Sequence, residues 1–159
     1  MLPRCRADGI AVLCYSSLQQ GLLSGKYSSA AEVPDGMRRT RLYGPASWSA
    51  KQCRHGDAEL GAAAEAAIFQ LPDGVLERLR QLCAGAGCGV AETALAWLLS
   101  RGGVGVVLAG ASTPAQAARN ARLPAVPAEL LRQVTEATEA LKELQGPILD
   151  QYARESRIH

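Results

Sequence analysis

Two short, continuously apolar runs stand out along the chain, at residues 9–15 and 104–108. Neither run alternates apolar with polar side chains, and small or polar residues bound both of them. A run of this kind is typical of a strand that is buried on both faces, as in a parallel sheet. The pattern therefore predicts two buried strands that are far apart in the sequence.

Apolar residues at helical spacing predict helices over much of the remaining chain. We expect these helices at residues 62–69, 74–84, 90–101, 114–121 and 127–144. Residues 16–27 predict a loop with a short helical turn, and residues 28–61, rich in Pro, Gly, Ser and Arg, predict a long irregular loop. Strands that alternate with helices predict a parallel α/β fold.

Two strands are too few to form such a sheet alone, because each would keep an open edge. The sequence therefore predicts a part of a larger fold. We also expect the isolated chain to expose apolar surface and to associate.

The amino-acid composition argues against several classes of function, including nucleic-acid binding, membrane insertion and metal binding. The chain has 159 residues, of which 48% are hydrophobic and 20% charged, as in one globular domain. A net charge of +2 does not indicate a nucleic-acid surface. There is no apolar run of the ~20 residues that a membrane helix needs, and no signal-peptide core, so we expect a cytoplasmic protein that binds neither nucleic acid nor membrane. The five cysteines lack metal-ligand spacing, so we expect free thiols and no metal site.

The stretch after the second strand has the features of an anion site. Thr113 is a good helix N-cap, Pro114 suits the first helical position, and Gln116 completes a capping-box pattern. A helix N-terminus that follows a parallel strand suits an anion, and barrels of alternating strands and helices often bind phosphate there. A helix that merely caps itself explains the same residues, and the local pattern leaves both interpretations open.

Several motifs in this order resemble the aldo-keto reductase family. Residues 9–27 resemble the seventh barrel strand of the family and the loop after it, and residues 90–99 resemble the helix before the eighth strand. Residues 104–120, with Gly110-Ala111-Ser112, Gln116 and Asn120, resemble the eighth strand and the cofactor-binding helix. The resemblance implies that residues 1–159 are the C-terminal part of a (β/α)8 TIM barrel, an incomplete barrel that runs from the seventh strand to the C-terminus.

The resemblance also implies a set of residues that bind NADP(H), with NAD as the alternative cofactor. Tyr15 would stack on the nicotinamide ring, and Arg38 or Arg39 would lie in a loop that covers the cofactor. The pyrophosphate and ribose would be lined by Ser16, Leu18, Gly21, Leu22, Ser24 and Lys26. The adenosine end would be held by Ser112, Gln116 and Asn120, with Gly110 allowing close approach and Arg119 near the 2′-phosphate. Ser17 departs from the family, which usually has Pro there.

Family members reduce a carbonyl with a Tyr acid supported by Lys, Asp and His, all from the first half of the barrel. No set of residues in this chain matches that tetrad, so we assign no catalytic residue. One hypothesis is a fragment of an NADP-dependent aldo-keto reductase, with a carbonyl substrate only when the missing part is present. The other is a non-catalytic module, derived from the same fold, that binds a cofactor or a protein.

The glycines at 85, 87 and 89 do not follow a strand, so they predict a helix–helix turn and not a dinucleotide-binding loop.

Overall fold

A computed structural model describes residues 1–38, 41–45, 57–70 and 72–145. In chain order its helices and strands are α1 (Leu2–Ala7), β1 (Val12–Cys14), α2 (Asp57–Phe69), α3 (Val75–Gly85), α4 (Val90–Leu99), β2 (Val104–Val107), α5 (Pro114–Ala121), α6 (Ala128–Thr138) and α7 (Leu141–Gln145). Short 3-10 turns lie at Gln19–Ser24, Ala30–Glu32, Asp35–Met37 and Arg41–Tyr43.

The two strands pair in parallel, as the sequence predicts. Val12 is opposite Val104, Leu13 is opposite Val106, and the register shifts between Val12 and Leu13. The shift leaves Gly105 as an extra residue beside Ala11, where an added Cβ would lie only 3.0 Å from the Ala11 Cβ. Glycine at this position therefore allows the strands to approach closely. The result is the mixed α/β arrangement of an incomplete barrel, with two parallel strands and flanking helices.

The prediction that both strands are buried on both faces is wrong. The strands are shorter than the apolar runs, and Leu13 and Val106 keep 53% and 46% of their surfaces exposed. Helix α4 packs against β2 on one face of the sheet. On the other face, none of the described residues covers the side chains of Leu13 and Val106. A continuous apolar run indicates that a strand is suited to burial on both faces. Whether the strand is in fact buried depends on other elements that pack over it. The expected exposed apolar surface is therefore present.

The buried core lies among the helices and not on the sheet. One cluster packs the 3-10 turns against α2 and α3, and it contains Leu22, Val33, Leu42, Tyr43, Ala64, Ile68 and Leu76. A second cluster packs α3 against α6, and it contains Leu79, Leu130, Val134 and Ala137. Half-buried Trp97 joins the second cluster and donates its indole N–H to the Thr135 hydroxyl at 2.7 Å. These clusters fix α3, α4 and α6 around the sheet.

Three helix boundaries differ from the sequence prediction. Helix α1 was not anticipated, and α2 begins at Asp57, inside the stretch predicted as a loop. The single helix predicted at 127–144 is divided into α6 and α7. At the break, the Thr138 hydroxyl donates to the carbonyl oxygen of Val134 at 2.9 Å, a local bond that competes with helix continuation.

The turn between α3 and α4 agrees with the sequence prediction. Gly87 has a φ of 67°, which is the left-handed conformation that glycine adopts at no steric cost. Within the described ranges, no single helix is long and apolar enough to cross a membrane; α3 and α4 pass the length and composition test only as a pair bent by 87°. The same part of the chain holds no group of three or more metal-ligating side chains.

Candidate functional site

A groove of about 730 Å³ opens beyond the carboxyl ends of the two strands. Its walls are the loop after β1, the start of α4, and the turn that leads from β2 into α5. The predicted site residues that line it are Ser16, Leu18, Gly21, Ser24, Lys26, Gly110, Ser112, Gln116, Arg119 and Asn120. We call it the strand-end groove.

Three predicted residues are not among those that line this groove. Tyr15 lies at the end of β1 with 72% of its surface exposed. Leu22 was expected at the pyrophosphate but is only 3% exposed in the core, because the apolar side of the loop turns toward α2 and α3. Arg39 lies outside the described residues. Its neighbour Arg38 donates from Nε to the carbonyl oxygen of Val33 at 2.7 Å, so it ties its own loop together.

The loop after β1 has an unusual backbone. Ser16, Gln19 and Gln20 have φ angles of 53°, 48° and 56°, in the left-handed region. Such a conformation costs a non-glycine residue roughly 1 to 3 kcal/mol and persists only where its surroundings impose it. Gly21 follows with a φ of 96°, and a Cβ added there would lie 3.0 Å from Met37 Cε. The backbone angle therefore favours glycine at this position, and a larger residue would also need the Met37 side chain to move.

Hydrogen bonds from side chains hold this loop in place. The Ser17 hydroxyl donates to the carbonyl oxygen of Cys14 at 3.3 Å, and the Ser24 hydroxyl donates to that of Gly21 at 2.6 Å. From across the groove wall, the Tyr43 hydroxyl donates to the carbonyl oxygen of Gln20 at 3.1 Å. The loop is thus fixed at both ends and in the middle.

Tyr43 is the contributor that sequence reasoning missed. It is 1% exposed, and its ring stacks with Phe69 at a centroid separation of 6.5 Å. Burial, with a smaller contribution from Tyr27, raises the pKa of the Tyr43 hydroxyl well above its ordinary value, so the group stays a proton donor. The available signal was one aromatic residue between apolar Leu42 and Gly44 inside a polar stretch.

The N-terminus of α5 is capped as the sequence predicts. The Thr113 hydroxyl accepts the N–H of Gln116 at 3.2 Å, and the Gln116 side chain accepts the N–H of Ser112 at 2.7 Å. The reciprocal bond therefore reaches one residue earlier than in a standard capping box. Asn120 also turns inward and donates from Nδ2 to the carbonyl oxygen of Gly110 at 3.3 Å. Gln116 and Asn120, which the sequence predicts as ligand contacts, thus hold the turn between β2 and α5 through hydrogen bonds to its backbone.

Three charged side chains line the strand-end groove: Lys26, Arg119 and Glu92. Arg119 Nε lies 4.0 Å from Glu92 Oε1, and the arginine side chain keeps 65% of its surface exposed. An exposed pair at this distance is weak, so the guanidinium keeps donors for another anion. Gln20 Oε1, also at the groove, is shielded from solvent and has no hydrogen-bond partner in the described part of the chain.

No tyrosine of the described residues forms a hydrogen bond with a lysine. Tyr27 contacts the sulfur of Met37 at 3.8 Å, and Tyr43 bonds to backbone oxygens. Lys142 pairs with Glu139 on the surface of α7. The described residues that line the groove therefore include cations and hydroxyl groups, but among them no tyrosine is hydrogen-bonded to a lysine for proton transfer to a carbonyl.

Comparison with known proteins gives the family. Residues 1–141 match the sequence model of the Aldo/keto reductase family. The chain belongs to this family. Aldo-keto reductases use nicotinamide cofactors, and their substrates are carbonyl compounds. The sequence-based assignment to this family is therefore confirmed.

One aldo-keto reductase relative is the NADH-specific methylglyoxal reductase of Escherichia coli (strain K12). The two sequences are 34% identical over 144 residues, which cover 87% of this chain. The same alignment covers 38% of the relative, so the chain spans less than half the length of that protein.

Proposed function

We propose that this chain forms the dinucleotide half-site of an NADP-dependent aldo-keto reductase, and that the catalytic Asp, Tyr, Lys and His lie outside it. The observation that carries the proposal is the strand-end groove. Residues 16–26 and residues 110–120 are distant in sequence, yet both segments line this one groove. A crevice beyond the carboxyl ends of parallel strands is where α/β folds bind nucleotides.

The chemistry of the groove residues fits a dinucleotide. Lys26 and the hydroxyls of Ser16 and Ser112 are suitable donors to a pyrophosphate, whereas the hydroxyls of Ser17 and Ser24 already donate to backbone carbonyls. The N-terminus of α5 adds its dipole. Gln20 Oε1 is a buried acceptor that has no hydrogen-bond partner among the described residues, and a ribose hydroxyl would satisfy it. The dinucleotide, when bound, supplies the hydride for carbonyl reduction; the residues of this chain bind and orient it.

The preference for NADP over NAD depends on one charged pair. Arg119 is a suitable partner for a 2′-phosphate, whereas Glu92 at 4.0 Å would repel that phosphate. The methylglyoxal reductase relative is described as NADH-specific, so the family alone does not decide between the two cofactors. We propose NADP because the arginine is the more exposed partner and can turn toward a ligand.

A second candidate function is a non-catalytic module that binds a cofactor or another protein. Both candidates expect the described residues to hold no tyrosine–lysine hydrogen bond, so that observation does not separate them. The upstream coding sequence distinguishes the two candidates. An in-frame stretch with Asp, Tyr, Lys and His in family order supports the enzyme. A soluble 159-residue product without such a stretch supports the module. A cytoplasmic location stays a prediction in either case.

An activity assay tests the part of the proposal that places the catalytic residues outside this chain. The chain alone, with NADPH and an aldehyde such as methylglyoxal, should bind NADPH without consuming it. Addition of the preceding two-thirds of an aldo-keto reductase should be required for carbonyl-dependent oxidation of NADPH. Oxidation of NADPH by the purified 159-residue chain would contradict the proposed division of roles.

A further inference from the structure

Tyr43 reaches the groove loop from a distant part of the chain. Its hydroxyl donates to the carbonyl oxygens of Gln20 at 3.1 Å and Gln19 at 3.4 Å. The same oxygen would lie 4.0 Å from a Cβ placed on Gly21. The hydroxyl thus lies next to three consecutive residues, of which Gln20 and Gly21 line the strand-end groove.

All three of these residues have left-handed backbones. Gln19, Gln20 and Gly21 have φ angles of 48°, 56° and 96°. A peptide segment does not hold two strained non-glycine residues in series unless other bonds impose the conformation. The ring of Tyr43 is fully buried against Phe69, so its hydroxyl is a rigid point from which to impose it.

We infer that Tyr43 is a positioning residue for cofactor binding: its hydroxyl holds residues 19–21 in the conformation that shapes the pyrophosphate side of the strand-end groove. The inference rests on the proposed function and adds to it a residue that does not line the groove itself. Burial keeps the hydroxyl protonated, so it donates throughout the neutral pH range. Preorganisation of this kind raises affinity because the loop is ordered before the ligand arrives.

The inference is specific about which part of the dinucleotide is affected. The adenosine end would contact α5, which is held by its own capping bonds at Thr113 and Gln116. Loss of the Tyr43 hydroxyl should therefore weaken binding of NADPH and leave binding of 2′,5′-ADP, which lacks the pyrophosphate bridge and the nicotinamide ribose, unchanged. A residue that only stabilises the fold would change both.

The test compares Tyr43→Phe with Thr135→Val in the full 159-residue chain. Tyr43→Phe removes one buried hydroxyl and keeps the ring. Thr135→Val removes a hydroxyl that accepts from Trp97 and donates to the carbonyl oxygen of Leu131, both at 2.7 Å. Thr135 does not line the groove, so this variant is the control for the loss of one part-buried hydroxyl elsewhere in the chain. We expect the NADPH dissociation constant to rise about fivefold or more in Tyr43→Phe, as for one lost hydrogen bond, and to stay within twofold in Thr135→Val.

Amide hydrogen exchange gives a second measurement that needs no ligand. The amides of Gly21 and Leu23 both donate to the carbonyl oxygen of Leu18, at 3.0 and 3.1 Å. They should be protected in the wild-type chain and exchange at least about fivefold faster in Tyr43→Phe. Unprotected amides in the wild type would overturn the inference even if the variant cannot be purified.

The outcomes separate the inference from the proposed function. A wild-type chain that binds neither NADPH nor 2′,5′-ADP removes the proposed function and the inference with it. Wild-type binding that Tyr43→Phe leaves unchanged overturns the inference alone. Equal weakening of NADPH and 2′,5′-ADP would also overturn it, because it would show a general loss of structure.

Discussion

The side-chain amide of Asn120 donates to the carbonyl oxygen of Gly110 at 3.3 Å. The bond spans the turn between β2 and α5 and joins its beginning to the last turn of the helix. Asn120 and Gly110 both line the strand-end groove. The shape of this wall is therefore set by the polar side chains that were expected to touch a ligand.

Removal of the Asn120 amide should weaken cofactor binding by loosening this turn. We expect Asn120→Ala to raise the NADPH dissociation constant about fivefold to tenfold, since one hydrogen bond contributes about 1 kcal/mol and 1.4 kcal/mol is tenfold. Fluorescence titration measures the change. Gln133→Ala, on the face of α6 outside the strand-end groove, is the control and should bind as the wild type does. Equal affinities for Asn120→Ala and wild type would contradict the assignment.

The Arg119–Glu92 pair should set the choice between the two dinucleotides. Arg119→Met removes the donor for a 2′-phosphate, so the preference for NADPH over NADH should fall about tenfold. Glu92→Gln removes the competing carboxylate and keeps the shape, so the preference should rise. Parallel titrations with NADPH and NADH, at low salt and at 0.5 M salt, measure both ratios. If Glu92→Gln favoured NADH, the electrostatic account would be wrong.

Burial of Tyr43 should make the chain less stable in alkaline solution. Burial raises the pKa of the Tyr43 hydroxyl in the folded state above its ordinary value of about 10, so the unfolded state loses the phenol proton first as the pH rises. The contribution is fully present below pH 10 and is lost above it, with a limiting slope of about 1.4 kcal/mol per pH unit. Burial also raises the pKa of the Cys83 thiol, which lowers the stability of the chain in alkaline solution in the same direction.

Urea unfolding between pH 8 and pH 11.5 tests this expectation. The free energy of unfolding should fall with pH in the wild type and in Thr135→Val, which lacks no titrating group. It should fall less steeply in Tyr43→Phe. If Tyr43→Phe had the same pH dependence as the wild type, the pKa of the Tyr43 phenol would have to be the same in the folded and unfolded states, which would contradict the prediction.

The exposed side of the sheet should drive association of the isolated chain. Leu13 and Val106 are opposite each other in the parallel register and are 53% and 46% exposed. The double variant Leu13→Lys, Val106→Glu puts opposite charges on this pair and removes the apolar patch. We expect a lower sedimentation coefficient at a given concentration and an unchanged melting temperature. The control Arg132→Gln, on the exposed face of α6, should associate as the wild type does.

Much of the fold could be predicted from local pattern. The two strands, their parallel pairing, the capped start of α5 and the glycine turn before α4 each follow from a few adjacent residues. The exposure of the strands could not be predicted. An apolar run shows that side chains such as Leu13 and Val106 are suited to a buried position, but it does not show whether another element of the chain packs over them. The break between α6 and α7 follows Thr138, whose hydroxyl donates to the carbonyl oxygen of Val134. Thr135 makes the same kind of bond within α6, so such a bond does not by itself predict where the helix ends.

The candidate site shows the same division. The resemblance identified most of the groove residues, but it placed Leu22 at the ligand, whereas the side chain is in the core. It also missed Tyr43, because this residue acts through a hydrogen bond to a loop that precedes it in the chain by about 23 positions. Contacts of that range depend on tertiary packing, which no local pattern of Leu42, Tyr43 and Gly44 encodes.

Whether this chain holds a folded dinucleotide half-site can be measured by titrating the purified 159-residue chain with NADPH, with NADH in parallel. We expect saturable binding that is tighter for NADPH and weaker in Gln116→Ala. No binding of either cofactor at millimolar concentration would contradict it, and would leave the groove without the function proposed for it.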